Sequence, residues 1–319
     1  MGAANEQRAA GGATGHESIG RAIRAATAAG RTALVAFVTA GFPSPSGFRE
    51  VLAKVAATAD VVEIGVPFTD PMADGMTIQR ASRAALQHGV TLPWILAELA
   101  AMQPRPRAPL LLMSYLNPLL AYGLDRLPQA AREAGVSGVI VPDLPYEECA
   151  ELKAALEAEG VGLVQMVTPV TPPERLAMLC GAAQGFVYAV TMTGTTGKNV
   201  AVPDDVLAYL ARVQQVAPIP VCAGFGIRAR EQVQRLAGHV DGVVVGSALV
   251  EVLERGEDPV AVGPDGLGEG DERRDPGAAG PGQPPVQVHR GVGGVFEAVE
   301  VAQPFLELPA PVEHRAAAS

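Results

Sequence analysis

Eight short apolar runs, rich in β-branched residues, alternate with stretches of helical period between residue 32 and about residue 255. They are TALVAFVTAG (32–41), DVVEIGV (60–66), PLLLMSY (109–115), GVIVPDL (138–144), GLVQMVTP (162–169), GFVYAVT (185–191), PIPVCAGF (218–225) and GVVVGSA (242–248). Between them GFREVLAKVAATA, TIQRASRAALQHG, EECAELKAALEAEG, DDVLAYLARVQQ and REQVQRLAGH place apolar residues three and four apart, and several end at Gly. Strands this apolar have no face to give to water, so the sheet they form is parallel and covered by helices. Eight such units predict an α/β single domain of the closed (β/α)8 TIM-barrel class, with an open doubly wound sheet as the alternative.

The barrel is expected over residues 17–255, behind a flexible leader (1–16) and ahead of a disordered or atypical tail (256–319). ESIGRAIRAATAAG opens the folded part as an amphipathic helix, with Ser18 as its cap and Gly30 as its stop. TLPWILAELAAM (91–102) adds a helix to the second crossover, and its Trp94 is expected to pack on the outer ring. After Gly256 the chain is dense in Gly, Pro and charge and has no period. Helix formers there are short (SALVEVLERG) or interrupted by Pro304 (VFEAVEVAQPFLEL), so a full closing helix is not expected.

A net charge of -10 leaves no basic stripe for a phosphate backbone, which excludes nucleic-acid binding but not a small anion held locally. Cys149, Cys180 and Cys222 form no CxxC pair, and the histidines show no HxxxH or HExxH spacing, so no metal is expected. The cysteines read as buried small hydrophobes in a reducing compartment. The leader has no continuous apolar segment, so neither a signal peptide nor a membrane span is expected there, and the protein reads as cytoplasmic.

One residue breaks the second strand. In VVEIGVPFTDPMADGMTIQ (61–79), Val62, Ile64 and Val66 share one face and Val61, Glu63 and Gly65 the other. With the first set against the helical ring, Glu63 points to the barrel axis, where apolar walls favour its protonated form. Asp74, in the loop that follows, can curl back over the same cavity and give a second carboxylate a different role. Structural alternatives are a buried base paired with Glu63, and Asp74 capping the helix that starts near Thr77. Asp70 belongs to a Thr-Asp-Pro turn. Late in the chain TGTTG (193–197), GFG (224–226) and Gly246-Ser247 follow successive strands, where backbone N–H groups commonly cradle a phosphate. A soluble barrel with paired carboxylates and a phosphate site is as far as these patterns reach.

At these residues the sequence resembles the alpha chain of tryptophan synthase. The strongest motif is VEIGVPFTDPMADGMTIQ; AFVTAGFP (36–43), MSYLNPLLAYG (113–123), VPDLPYEE (141–148), FVYAVTMTGTTG (186–197), AGFGIR (223–228) and GSALV (246–250) follow in the family's order. The resemblance implies reversible retro-aldol cleavage of indole-3-glycerol phosphate to indole and glyceraldehyde 3-phosphate, without cofactor. By that likeness Glu63 is the acid/base and Asp74 accepts the indole N–H. Tyr188 and Thr196 lie at the site, the latter on a closing loop. Phe37, Tyr115 and Phe225 line the indole pocket, and Gly197, Gly226, Gly246 and Ser247 contact phosphate. A pyridoxal-phosphate beta chain is the implied partner in an α2β2 complex that passes indole through a tunnel, with Pro67, Asp70, Pro71 and Asn117 facing it.

The chain departs from the family pattern in three places. Met76 stands where Pro is usual, TMTGTTG carries Thr195 in place of an apolar residue, and the Gly/Pro-rich tail replaces the final helix. The first is expected to loosen the loop that carries Asp74, and the second to alter loop closure. Two other readings stay open: a barrel acting on a sugar phosphate, and a degenerate alpha chain that only activates its partner.

Overall fold

The computed structural model describes residues 14–191, 202–224 and 226–262. Its order is helix α1 (Gly15–Ala28), strand β1 (Ala33–Thr39), α2 (Phe48–Thr58), β2 (Val61–Gly65), α3 (Met76–Gln87), α4 (Leu92–Ala100), β3 (Leu110–Met113), α5 (Leu116–Tyr122), α6 (Leu127–Glu133) and β4 (Val136–Ile140). There follow α7 (Ala150–Ala158), β5 (Gly162–Val167), α8 (Pro173–Ala182), β6 (Val187–Val190), α9 (Asp204–Val216), β7 (Val221–Gly224), α10 (Arg230–Leu236), β8 (Gly242–Val245) and α11 (Ser247–Glu254). The strands close into a parallel barrel in sequence order, β8 pairing back onto β1 through Ala36 and Val245. The closed barrel was the leading expectation, and the open sheet is set aside.

Strand parity separates two apolar layers. Leu34, Ala36, Val38, Val62, Ile64 and Val66 pack outward against helix residues such as Leu52, Ile95 and Leu249. Ala33, Val35, Phe37, Val61, Leu111, Ile140, Val164, Tyr188 and Cys222 point inward, and Ile19 and Ile23 of α1 join them. Helix α1 therefore plugs the end of the barrel where the strands begin. At that end side chains stitch neighbouring units: Asp60 accepts the Leu34 N–H at 2.9 Å, Gln184 the Leu163 N–H at 2.9 Å and Asp241 the Val221 N–H at 2.8 Å. The opposite end, which helix α1 leaves open, is where loops can build a site.

Some expectations change in detail. Helix α1 begins at Gly15 rather than after Ser18, because Thr14 is the cap and donates its N–H to Glu17 at 2.8 Å. Strand β4 begins at Val136, two residues before the expected run. Trp94 lies on the outer ring against Phe48, with ring centroids 5.5 Å apart. The described chain continues beyond residue 255 into a 3-10 turn, Pro259–Val262, that packs near α2 and α11. The rest of the tail, 263–319, and the leader as far as residue 13 lie outside the described residues.

Candidate active site

Glu63 sits mid-strand in β2, paired in register with Phe37 of β1 and Leu111 of β3, with 1% of its surface exposed. Its Oε2 has no hydrogen-bond partner among the described residues. Among the described residues no cation offsets the burial, and its pKa is pushed up to about 8 by loss of water and, second, by the nearby charge of Asp74. A group so placed is neutral near pH 7, and no base pairs with it among the described residues.

Asp74 lies in the loop between β2 and α3. Burial lifts its pKa to about 6, opposed by a hydrogen bond from the Tyr115 hydroxyl. It does not cap α3, whose N-cap is Gly75 and has no side-chain cap. Three contacts fix the loop instead. Tyr115 Oη accepts the Ala73 N–H at 2.8 Å, Asp74 donates its own N–H to the Pro71 carbonyl at 3.1 Å, and Gln79 Nε2 donates to the Asp74 carbonyl at 2.9 Å. Below them Ser82 accepts the Phe68 N–H at 2.9 Å, and the Phe68 ring stacks on Tyr115 with centroids 5.2 Å apart. The two carboxyls thus occupy different settings, one dry and neutral, the other hydrogen-bonded by the Tyr115 hydroxyl and ionised at neutral pH.

Beside Asp74 opens a cleft lined by Phe37, Thr39, Gly65, Val66, Asp74, Ile78, Ser82, Met113 and Tyr115. Glycine at 65 is a requirement of this wall, since a Cβ there would meet Cζ of Phe37 at 2.4 Å. Likewise a Cβ on Gly224 would meet Oη of Tyr188 at 2.4 Å, so the phenol of β6 lies across the end of β7. Burial, then Glu63, raise the pKa of that phenol, which therefore stays protonated.

Of the phosphate positions, Gly226 follows β7 with φ of +81° and is exposed, while Gly246 and Ser247 form the N-cap and first residue of α11. The turn after β7 is tied to the Asp74 loop through one side chain. Glu251 of α11 accepts from Arg228 Nη1 at 2.8 and 2.9 Å and from Thr77 Oγ1 at 3.1 Å. Thr196, Gly197 and Phe225 lie outside the described residues. Of the partner-facing positions Asp70 and Asn117 are exposed and Pro71 half-buried, but Pro67 is buried. Pro67 ends the run of buried residues that begins with β2, two residues past the strand.

Thr39 and Ser82 were not singled out in the sequence. For Thr39 a signal exists, because it continues the inward parity of Val35 and Phe37; for Ser82 none does, since a helix serine has many uses.

The tryptophan synthase alpha chain family model matches residues 23–263. The chain belongs to the tryptophan synthase alpha chain family. An alpha chain of Nitratidesulfovibrio vulgaris is 48% identical over 239 residues, spanning 75% of this chain and 93% of the relative. One from Bacillus mycoides is 43% identical, spanning 73% and 90%. A Mycobacterium tuberculosis tryptophan synthase structure superposes with a TM-score of 0.72 at 35% identity, over 78% of this chain and 96% of that one. The alpha subunit from Legionella pneumophila gives 0.69 at 31% identity, over 76% and 92%. Membership gives the chain the alpha-subunit role in tryptophan biosynthesis, a lyase step, and a beta chain as its partner in the complex.

Proposed function

We propose that Glu63 and Asp74 together cleave indole-3-glycerol phosphate to indole and glyceraldehyde 3-phosphate. The reading rests on one observation above all: a buried carboxyl group, Glu63, whose pKa is pushed up to about 8, near enough to feel the charge of a second carboxyl, Asp74, whose pKa is lifted only to about 6. In the cleavage Glu63 gives its proton to the ring carbon that leaves. The resulting carboxylate takes the proton from the adjacent side-chain hydroxyl as the carbon–carbon bond breaks, which restores neutral Glu63 and leaves an aldehyde. Asp74 accepts the indole N–H and stabilises the positive charge that spreads over the protonated ring. The net change moves one proton from oxygen to carbon, so no cofactor is required.

The aromatic walls Phe37 and Tyr115 suit a flat apolar ring. Phosphate falls to Gly226, Gly246 and Ser247, joined by Gly197, with Tyr188, Thr196 and Phe225 completing the substrate site. The partner is a pyridoxal-phosphate beta chain in an α2β2 assembly in the cytoplasm, met through Asp70, Pro71 and Asn117. A sugar-phosphate isomerase is disfavoured because it has no use for aromatic walls beside a neutral carboxyl.

The test is indole release from indole-3-glycerol phosphate by the purified chain, alone and with a beta chain. Glu63→Gln should abolish release with the fold intact by circular dichroism. Release at an unchanged rate would remove Glu63 from the chemistry.

A further inference from the structure

Thr39 ends β1 with 2% of its surface exposed, and its Oγ1 has no hydrogen-bond partner among the described residues. It faces the barrel interior and lines the cleft. A buried hydroxyl left unpaired destabilises a fold, so its retention calls for a partner that arrives with a ligand.

The topology says where on a ligand that partner lies. Strand β1 is flanked by β2, which carries Glu63, and by β8, whose end carries the Gly246–Ser247 turn. Adjacent strands lie about 4.8 Å apart, so β2 and β8 are separated by roughly 10 Å across β1. A substrate with its breaking bond at Glu63 and its phosphate at Gly246–Ser247 must run its three-carbon chain over the end of β1, past Thr39. That chain bears two hydroxyls. One gives its proton to Glu63; the other, on the middle carbon, takes no part in the cleavage and needs a partner of its own.

We infer that Thr39 Oγ1 hydrogen-bonds the middle hydroxyl of the substrate's glycerol phosphate chain, and so selects a hydroxylated chain over an alkyl one. The inference rests on the catalytic reading above and makes Thr39 a specificity residue rather than an acid or base. Thr39→Val keeps the shape and removes the hydroxyl, while Thr39→Ser keeps the hydroxyl.

The experiment measures kcat/KM for indole release by the complex with the beta chain, on indole-3-glycerol phosphate and on the analogue lacking the middle hydroxyl. Wild type should favour the natural substrate by about fivefold to tenfold, the scale of one neutral hydrogen bond. Thr39→Val should lose that preference while cleaving the analogue as wild type does, and Thr39→Ser should recover it. Equal losses on both substrates, or a wild type without preference, would overturn the assignment. Wild type that cleaves neither substrate would instead sink the catalytic reading, and this inference with it.

Discussion

The Tyr115 hydroxyl accepts the Ala73 N–H at 2.8 Å and hydrogen-bonds the Asp74 carboxylate, so one side chain at the end of β3 both anchors the acidic loop and sets the charge of its neighbour. Tyr115→Phe removes both contacts. The pKa of Asp74, no longer lowered by that bond, rises above about 6, and the ionised fraction at pH 6.5 falls. The acid limb of the pH–rate profile should move upward in this variant, with activity reduced more at pH 6.5 than at pH 7.5. A limb that stays in place would separate Tyr115 from Asp74.

The wild-type profile follows from the same pair. Activity needs Asp74 ionised, hence pH above about 6, and Glu63 protonated, hence pH below about 8. The profile of kcat/KM should therefore be bell-shaped with limbs near those values, which belong to the coupled pair rather than to either residue alone. Asp74→Asn should erase the acid limb. It should also shift the alkaline limb downward, because part of the rise in Glu63 comes from the Asp74 charge. An acid limb that survives in this variant would contradict the Asp74 assignment, and a rate with no alkaline limb up to pH 9 would contradict that of Glu63.

Keeping Glu63 dry has a thermodynamic consequence. Its folded pKa lies at about 8 against an ordinary 4.5, so the folded state holds a proton that the unfolded chain has released between those values. The stability this proton supplies is complete below about pH 4.5, declines through the window and is gone above about pH 8. Glutamine does not titrate. Wild type should therefore lose more stability than Glu63→Gln between pH 5 and pH 8.5, by on the order of a few kcal/mol. Urea midpoints at the two pH values decide it, and parallel losses would mean Glu63 is not buried as a neutral acid.

The strands and Glu63 were legible because both are one-dimensional signals: a run with no polar face, and a carboxylate that violates it. Short helices were not. Helices α5 and α6 each span seven residues, contain Pro, and leave too few turns for a period to register. The start of α1 was missed because the Thr14–Glu17 cap stands at the edge of a polar, Gly-rich leader. Contacts such as Ser82 with Phe68, or Arg228 with Glu251, depend on where helices dock, which no local pattern encodes.

Met76 was expected to loosen the Asp74 loop, and the structure explains why Pro is usual at that place. Met76 is the first residue of α3, where a proline's missing N–H costs nothing and its fixed φ suits the helix. Gly75 before it has φ of -69° and ψ of 161°, the conformation a following proline demands. Met76→Pro should raise stability by about 0.4–1 kcal/mol by restricting the unfolded chain, without loss of indole release. A lowered urea midpoint would place Met76 outside the helical conformation.

Glu251 offers the clearest separation between a structural ion pair and a surface one. It is about two-thirds buried and bridges Arg228, after β7, to Thr77, three residues beyond Asp74. Glu254, one turn on, pairs with Arg80, and both of those side chains are more exposed. Removing the first carboxylate leaves the buried Thr77 hydroxyl and the half-buried Arg228 guanidinium unpaired and frees the phosphate turn from the acidic loop; removing the second leaves two groups that water can solvate. Glu251→Ala should therefore cost about 1–2 kcal/mol and raise KM for the phosphate substrate, whereas Glu254→Ala should cost well under about 1 kcal/mol and leave KM unchanged. Denaturation midpoints and steady-state kinetics on the two variants test this directly. Equal costs would show that the Glu251 bridge is no more than another solvated pair.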